Sequence, residues 1–436
     1  MAKFRVRGGN KLEGEIRVIG SKNAILPILA AVILTRKPVV LFDFPSLADV
    51  EIMLMILKSI GCKAARENST LILDPSGIDS WIIPDRYVKE IRSSIVMLGA
   101  VLARMKRAKI TYPGGCEIGQ RPINLHLHGL RQLGVVIRES FGYLECEAAN
   151  MQGADIHLDY PSVGATENIM LAANGARGQT IIRNAAKEPE IVDLQNFINS
   201  MGGRVSGAGS NTIVIEGVED FHGTEYTVIP DRIVAGTYLV AAAVTGSEIL
   251  VDNVNFEHIQ ATVNKLRQAG CNITPVRGRH AGKQPAGSLS SAPESLWAVW
   301  IKAPERLLAV EQTKTYPYPG FPTDMQALFM TVLTVAKGTS IITENIFENR
   351  FKHVPELIRM GARIRTEGRT AIIQGVPRLV GAEVTAGDLR GGAALVMAGL
   401  NAEGESIIDN IHHIERGYDR LEVCLNGIGA DITRIE

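Results

Sequence analysis

The sequence predicts an α/β protein of two domains assembled from six copies of one unit, and three observations lead there. A short ending, apolar-Gly-x-x-Ile/Val or close to it, recurs at Gly61, Gly134, Gly202, Gly270, Gly361 and Gly429. The intervals are 73, 68, 68, 91 and 68 residues, and three identical spacings mark a structural repeat. Between markers, Ala-rich apolar stretches alternate in fixed order with β-rich and amphipathic ones. The 436 residues also exceed the length at which one core usually stops growing, so six units divide into two bodies.

Each unit opens on an apolar helix, such as Ile25 to Leu34, Thr166 to Ala173, Ala235 to Val244 or Gly392 to Leu400. A helix that is apolar on nearly every side has to be buried. A β-rich stretch follows, for example Val39 to Leu41, Thr180 to Ile182 or Ser340 to Ile342. The second helix is amphipathic and belongs on the surface. Val192 to Met201 carries apolar residues at 192, 194, 197, 198 and 201, then meets the marker glycine, which suits a left-handed helix end. A strand pair such as Gly203 to Val205 with Thr212 to Ile215 closes the unit. The crossover falls at Ile229-Pro230-Asp231-Arg232, midway between the third and fourth units. The long interval carries a Gly/Ser/Pro-rich insertion at about Gly278 to Leu296, expected as a surface loop or disordered segment.

Lys plus Arg and Asp plus Glu both number 46, so no global field points to nucleic acid or a membrane surface. The N-terminus lacks a secretory apolar core, and the apolar run Ala24 to Leu34 is too short to span a bilayer. Five scattered cysteines form neither a disulfide framework nor a metal-ligand set, which suits a reducing cytoplasm and chemistry without metal or cofactor.

Candidate functional residues break their local pattern. Lys22 and Asn23 stand at the entrance to a buried helix, where a lysine beside free backbone N–H groups makes an anion site. The other units carry polar groups at the same entrance: Arg92, Ser162-Val163-Gly164, Asp231-Arg232, Thr323-Asp324 and Asp388-Leu389-Arg390. A Gly- and Pro-rich loop from Tyr112 to Pro122 is expected to act as a lid, and it carries Cys116. A free cysteine is commonly an inert small hydrophobe, but a loop thiol near cations has the exposure that reactive thiols need.

The segments Gly20-Ser21-Lys22-Asn23, Pro113-Gly114-Gly115-Cys116, Arg121-Pro122, Lys187-Glu188-Pro189-Glu190-Ile191-Val192-Asp193, Phe321 to Gln326, Phe347 to Phe351 and Asp388-Leu389-Arg390 together resemble the UDP-N-acetylglucosamine enolpyruvyl transferases. The resemblance covers nearly the whole chain outside the insertion. It implies two inside-out α/β barrels built from six βαβαββ-like repeats, one over residues 20–229 and the other over 1–19 plus 230–436. It also implies a cleft site for phosphoenolpyruvate and UDP-N-acetylglucosamine. Lys22, Arg121 and Arg416 would hold phosphoenolpyruvate, with Asn23 and Arg390 beside it. Asn23, Arg92, Arg121, Pro122, Ile123, Asn124, Leu125, Ser162, Val163, Gly164, Asp324 and Ile346 would bind the UDP-sugar. Asp324 would take the proton of the attacking 3-hydroxyl, and Cys116 would protonate the methylene carbon and be the target of the epoxide fosfomycin. Lys22 and Arg416 complete the catalytic set. Departures from the family pattern are the insertion, Asn124 for a usual aspartate, Gly387 before Asp388, Gly391-Gly392 after Arg390, and Tyr318-Pro319 for a His-Pro step. The rival readings are a shikimate-type enolpyruvyl transferase, which would lack the cysteine loop, and a regulatory paralogue that binds UDP-sugar without turning it over.

Overall fold

The computed structural model describes residues 2–67, 69–114, 118–119, 121–277 and 296–436. Six buried helices sit at its centre: Lys22–Ala31, Met97–Met105, Val163–Ala173, Arg232–Thr245, Gln326–Thr334 and Leu389–Asn401. Apolar or small residues cover nearly every side of them, and almost none of their surface meets solvent. Close approach needs small residues at particular points. A Cβ on Gly99 would fall 2.1 Å from the Asn168 carbonyl oxygen of the neighbouring helix, and the Gly99 N–H donates to Asn168 Oδ1 at 2.7 Å.

Around the helices lie six small sheets, five of four strands and one of three. The third unit shows the pattern most simply. Asp155–His157 pairs parallel with Gln179–Arg183, which pairs antiparallel with Thr212–Glu216, which in turn pairs with Arg204–Ser206. The chain order is therefore strand, buried helix, strand, surface helix, strand, strand. All six marker glycines have positive φ, from 85° at Gly134 to 110° at Gly61, so each surface helix ends in the left-handed turn that the sequence called for.

Two units exchange their leading strands. Glu13–Arg17 precedes the first buried helix but pairs with Glu248–Asn255 in the fourth unit's sheet. Thr224–Thr227 precedes the fourth buried helix but pairs with Val39–Phe42 in the first. The sixth unit borrows as well. Lys3–Arg7 takes the place of its last strand, between Glu405–Asp409 and Asp431–Ile435. None of these pairings is local, so no sequence period predicts them.

The buried apolar residues form two clusters. One runs from Ala24 to Val228, and the other combines Phe4, Val6, Leu12, Ile16 and Val18 with residues from Ile233 to Ile432. The insertion lies outside the described residues apart from its last residue, which corrects its boundary: Leu296 begins the strand Leu296–Lys302. That strand pairs antiparallel with Asn272–Arg277, so the extra residues join the two strands of a hairpin.

Candidate functional site

The two segments that join the core clusters run side by side. Ser21 N–H donates to the Ile229 carbonyl at 2.7 Å, and Asp231 N–H donates to that of Ile19 at 3.0 Å. This places the starts of two buried helices together. Asp231 caps its own helix through the N–H groups of Ile233 and Val234, and its other oxygen accepts from Lys22 N–H at 3.1 Å.

Cations collect at this junction around two carboxylates. Lys22 Nζ lies 2.7 Å from Asp49 Oδ2, and Arg416 Nε lies 2.8 Å from Asp49 Oδ1. Asp49 belongs to a helix packed on one core cluster and Arg416 ends a turn packed on the other, so the carboxylate ties the halves together. Asp324 is gripped in the same way. Arg350 reaches one of its oxygens at 2.6 Å, and Arg390 reaches the other at 3.1 and 3.2 Å.

All these groups are largely removed from water, which sets their ionisation. Burial pulls the Lys22 ammonium below its usual value; Asp49 opposes this, while Arg390 and Arg416 add to it. Burial raises the Asp324 carboxyl, but Arg390, Arg350 and Lys22 outweigh it and hold the group well below the carboxylate range. Burial works against the Arg390 charge, yet Tyr418, Asp324 and Asp231 more than offset it. Lys22 acts on both Asp49 and Asp324, and Arg390 acts on both Lys22 and Asp324, so the two gripped carboxylates share one electrostatic field. Lys22, Asp324, Arg390 and Arg416 are therefore brought together at this junction.

A second group lies on the side of the 112–122 loop. Arg92 donates to the Pro113 carbonyl at 3.3 Å, and burial with the charge of Arg121 draws it down to about 10. Burial, then Arg92 and Arg121, takes His126 to about 3, leaving a neutral imidazole whose Nδ1 meets the Asn168 amide at 3.1 Å. A Cβ on Gly164 would sit 3.1 Å from the His126 ring, so Ser162-Val163-Gly164 packs against the helix that follows Arg121. Ser162 caps the helix Val163–Ala173. Asn23 is half-buried beside Lys22, Ile123 is buried, Leu125 is half-buried, and Pro122 and Asn124 are exposed.

The loop meets the far side of the site. The Arg121 guanidinium lies 5.4 Å from the Phe347 ring centroid, and Asn349 N–H donates to the Ile118 carbonyl at 3.0 Å. Cys116 lies outside the described residues, so the candidate acid is bracketed by its neighbours alone. Ile346 is fixed through its N–H, which donates to buried Glu344 at 2.8 Å; Glu344 also accepts from Thr315 and from Thr323, next to Asp324.

Sequence reasoning missed Asp49, Arg350 and Glu344. Asp49 left a readable signal: an acid on the buried face of the helix Ala48–Ser59, among Val50, Met53 and Leu57. Glu344 left one too, because it continues the inward alternation of Ser340 and Ile342 one step past the strand Thr339–Thr343. Arg350 sits in a turn, where no period marks the inward face.

A family profile described as EPSP synthase (3-phosphoshikimate 1-carboxyvinyltransferase) matches residues 6–425. The UDP-N-acetylglucosamine 1-carboxyvinyltransferase 2 of Caldanaerobacter subterraneus subsp. tengcongensis is 52% identical over 435 residues, 100% of both chains. The corresponding protein 1 of Carboxydothermus hydrogenoformans is 48% identical over 436 residues, 100% of this chain and 99% of its own. Among solved structures, the enolpyruvyl transferase NikO from Streptomyces tendae aligns over 99% of this chain and 98% of its own, with a TM-score of 0.86 and 23% identity. EPSP synthase from Acinetobacter baumannii aligns over 100% of both, with a TM-score of 0.74 and 18% identity. These two structures establish the α/β fold. The chain belongs to the EPSP synthase family and, within it, to the UDP-N-acetylglucosamine 1-carboxyvinyltransferases.

Proposed function

We infer that this chain transfers the enolpyruvyl group of phosphoenolpyruvate to the 3-hydroxyl of UDP-N-acetylglucosamine, releasing phosphate in the first committed step of peptidoglycan precursor synthesis. The observation that carries the reading is the pair of gripped carboxylates, Asp49 between Lys22 and Arg416, and Asp324 between Arg350 and Arg390. These cations are fixed in place before any substrate arrives. Charge stabilisation by preorganised groups in a water-poor site is far stronger than in bulk water.

Phosphoenolpyruvate would take up Lys22, Arg390 and Arg416 through its phosphate and carboxylate, with Arg121 closing from the loop side and Asn23 beside Lys22. Arg92, Arg121 to Leu125, Ser162 to Gly164 and Ile346 would hold the UDP-sugar. Held low by its cations, Asp324 is a weak base. A trianionic substrate competing for Arg390 and Lys22 would relieve that restraint. The sugar 3-oxygen then attacks C2 of phosphoenolpyruvate, its proton passes to Asp324, and C3 takes a proton from the Cys116 thiol to become a methyl group. The resulting ketal breaks its C2–O bond to phosphate, and loss of a proton from C3 restores the double bond.

The two apolar clusters support reading residues 20–229 as one inside-out α/β barrel and residues 1–19 with 230–436 as the other, with the site in the cleft between them. The cytoplasm holds both small-molecule substrates, and we assign the enzyme to it. Phosphate release from phosphoenolpyruvate tests the reaction. It should require UDP-N-acetylglucosamine and be absent with shikimate 3-phosphate; release with the latter, or with neither acceptor, overturns the assignment.

A further inference from the structure

The motif Lys187 to Asp193 has no part in the chemistry above, yet it forms one wall of a cavity of about 450 Å³. The other walls come from Tyr226 to Pro230 of the crossover, from Asp43, and from Asn253, Asn255, His258 and Tyr318. None of the candidate site residues lines it. Its size lies within the range of small-molecule pockets.

Most of the surface is apolar or aromatic: Pro189, Val192, Tyr226, Val228, Pro230 and Tyr318. The polar groups are unequal. Asp43 is engaged by both terminal nitrogens of Arg17 at 3.0 and 2.8 Å. Asp193 accepts from the Tyr226 hydroxyl at 2.5 Å and from Ile229 N–H at 3.4 Å. Its burial pushes the carboxyl up to about 7, against the pull of those two hydrogen bonds. Both acids are thus already satisfied within the wall. Lys187, half-buried, makes no ion pair or side-chain hydrogen bond among the described residues, which leaves one uncompensated positive charge in the cavity. His258 Nδ1 is buried there without a hydrogen-bond partner among the described residues. Burial and the charge of Arg232 lower this imidazole to about 4, so it is neutral at pH 7 and adds no charge to the wall.

We propose that this cavity is a second ligand site, separate from the catalytic one, for a compact aromatic or heteroaromatic monoanion. The ring lies among Tyr226, Tyr318, Val192 and the two prolines, and its carboxylate meets Lys187. The neutral His258 ring completes the wall around it. Because the walls come from elements packed on each of the two core clusters and from the crossover that joins them, an occupant bears on how the two halves sit together.

The test uses the full-length protein and two probes, indole-3-carboxylate and the neutral indole-3-carboxamide, followed by calorimetry or ligand-observed NMR. The carboxylate should saturate with a Kd of roughly 0.1–1 mM, the range for about a dozen heavy atoms, and the amide should bind about tenfold more weakly. Lys187→Gln should bring the carboxylate down to the amide's affinity. Val192→Trp should fill the space and abolish both, while the protein still melts cooperatively and turns over; Asn196→Trp serves if that variant does not fold. Saturating UDP-N-acetylglucosamine with inorganic phosphate should leave the probe bound. Displacement by those substrates, an unchanged affinity in Lys187→Gln, or no saturable binding up to 5 mM would each overturn the proposal.

Discussion

Changing Asp49 to asparagine removes one charge and strands two. Lys22 and Arg416 sit 2.7 and 2.8 Å from its oxygens, and the Asp49 side chain is only 3% exposed. At an effective dielectric constant of about 20, charges 2.7 Å apart attract by roughly 6 kcal/mol before desolvation is counted. Much of that is cancelled by the cost of burying the ions. Removing one partner of a buried pair nevertheless costs about 3–5 kcal/mol, because the survivors stay buried and unpaired. The two survivors respond differently. Arg416 cannot shed its proton, but Lys22 can, and its pKa is already lowered by burial. Without Asp49 that pKa falls further, so the basic limb of kcat/KM for phosphoenolpyruvate moves to lower pH. If most of the cost reaches substrate binding, kcat/KM falls by about 10²–10³-fold. The assay is phosphate release across pH 6–9.5, alongside thermal melts. An unshifted basic limb with a melting temperature within a degree of wild type would refute the reasoning.

Among the cysteines, Cys116 should be alkylated fastest, because burial pushes Cys62 up to about 11 and Cys146 and Cys271 to about 12, and raises Cys424 as well. Peptide mapping after iodoacetamide or fosfomycin checks this. Cys116→Ser should be nearly inactive, whereas Cys116→Asp should keep turnover and resist fosfomycin, since a carboxyl donates a proton but attacks an epoxide poorly. Deleting residues 278–295 and rejoining the hairpin through a short turn should leave kcat/KM within about threefold, measured by the same phosphate assay. Acid should destabilise the fold through His126, held at about 3, and His258, held at about 4. An unfolded imidazole titrates near 6.5, so below that pH the unfolded chain takes up protons that the folded chain refuses. Their contribution is complete above pH 6.5 and is lost as pH falls toward 4. Asp193, raised to about 7, works in the opposite direction, so the check is a comparison: wild type should lose more melting temperature between pH 7.5 and pH 5 than His126→Gln, and equal losses would contradict the assignment.

The architecture was legible wherever it repeats. Glycine spacing located every surface-helix end, and unbroken apolar runs located four of the six buried helices, because both signals are local. The exchanged strands were not, since pairing Glu13–Arg17 with Glu248–Asn255 leaves no mark on either segment. The candidate site divides the same way. Lys22, Arg390 and Asp324 sit at helix entrances, where a charge before an apolar run is conspicuous. Arg350 sits in a turn where polar residues are ordinary, so its inward orientation depends on packing that no window of sequence contains, whereas Glu344 continues the alternation of Ser340 and Ile342 and was there to be read.

The borrowed strand Lys3–Arg7 has a consequence for how the molecule is made. It is translated well ahead of its partners Glu405–Asp409 and Asp431–Ile435, with a contact from Arg7 to Glu405 that spans 398 positions. Closing so long a loop costs only about 1.5 kcal/mol more than closing one of a single unit's length, so the delay is one of order rather than energy. Every other sheet can finish while translation continues. Arg416 lies between the two late strands, so the grip on Asp49 forms only after those strands have met the early one. A nascent or truncated chain can hold folded pieces of this enzyme, but its cation cluster is assembled last.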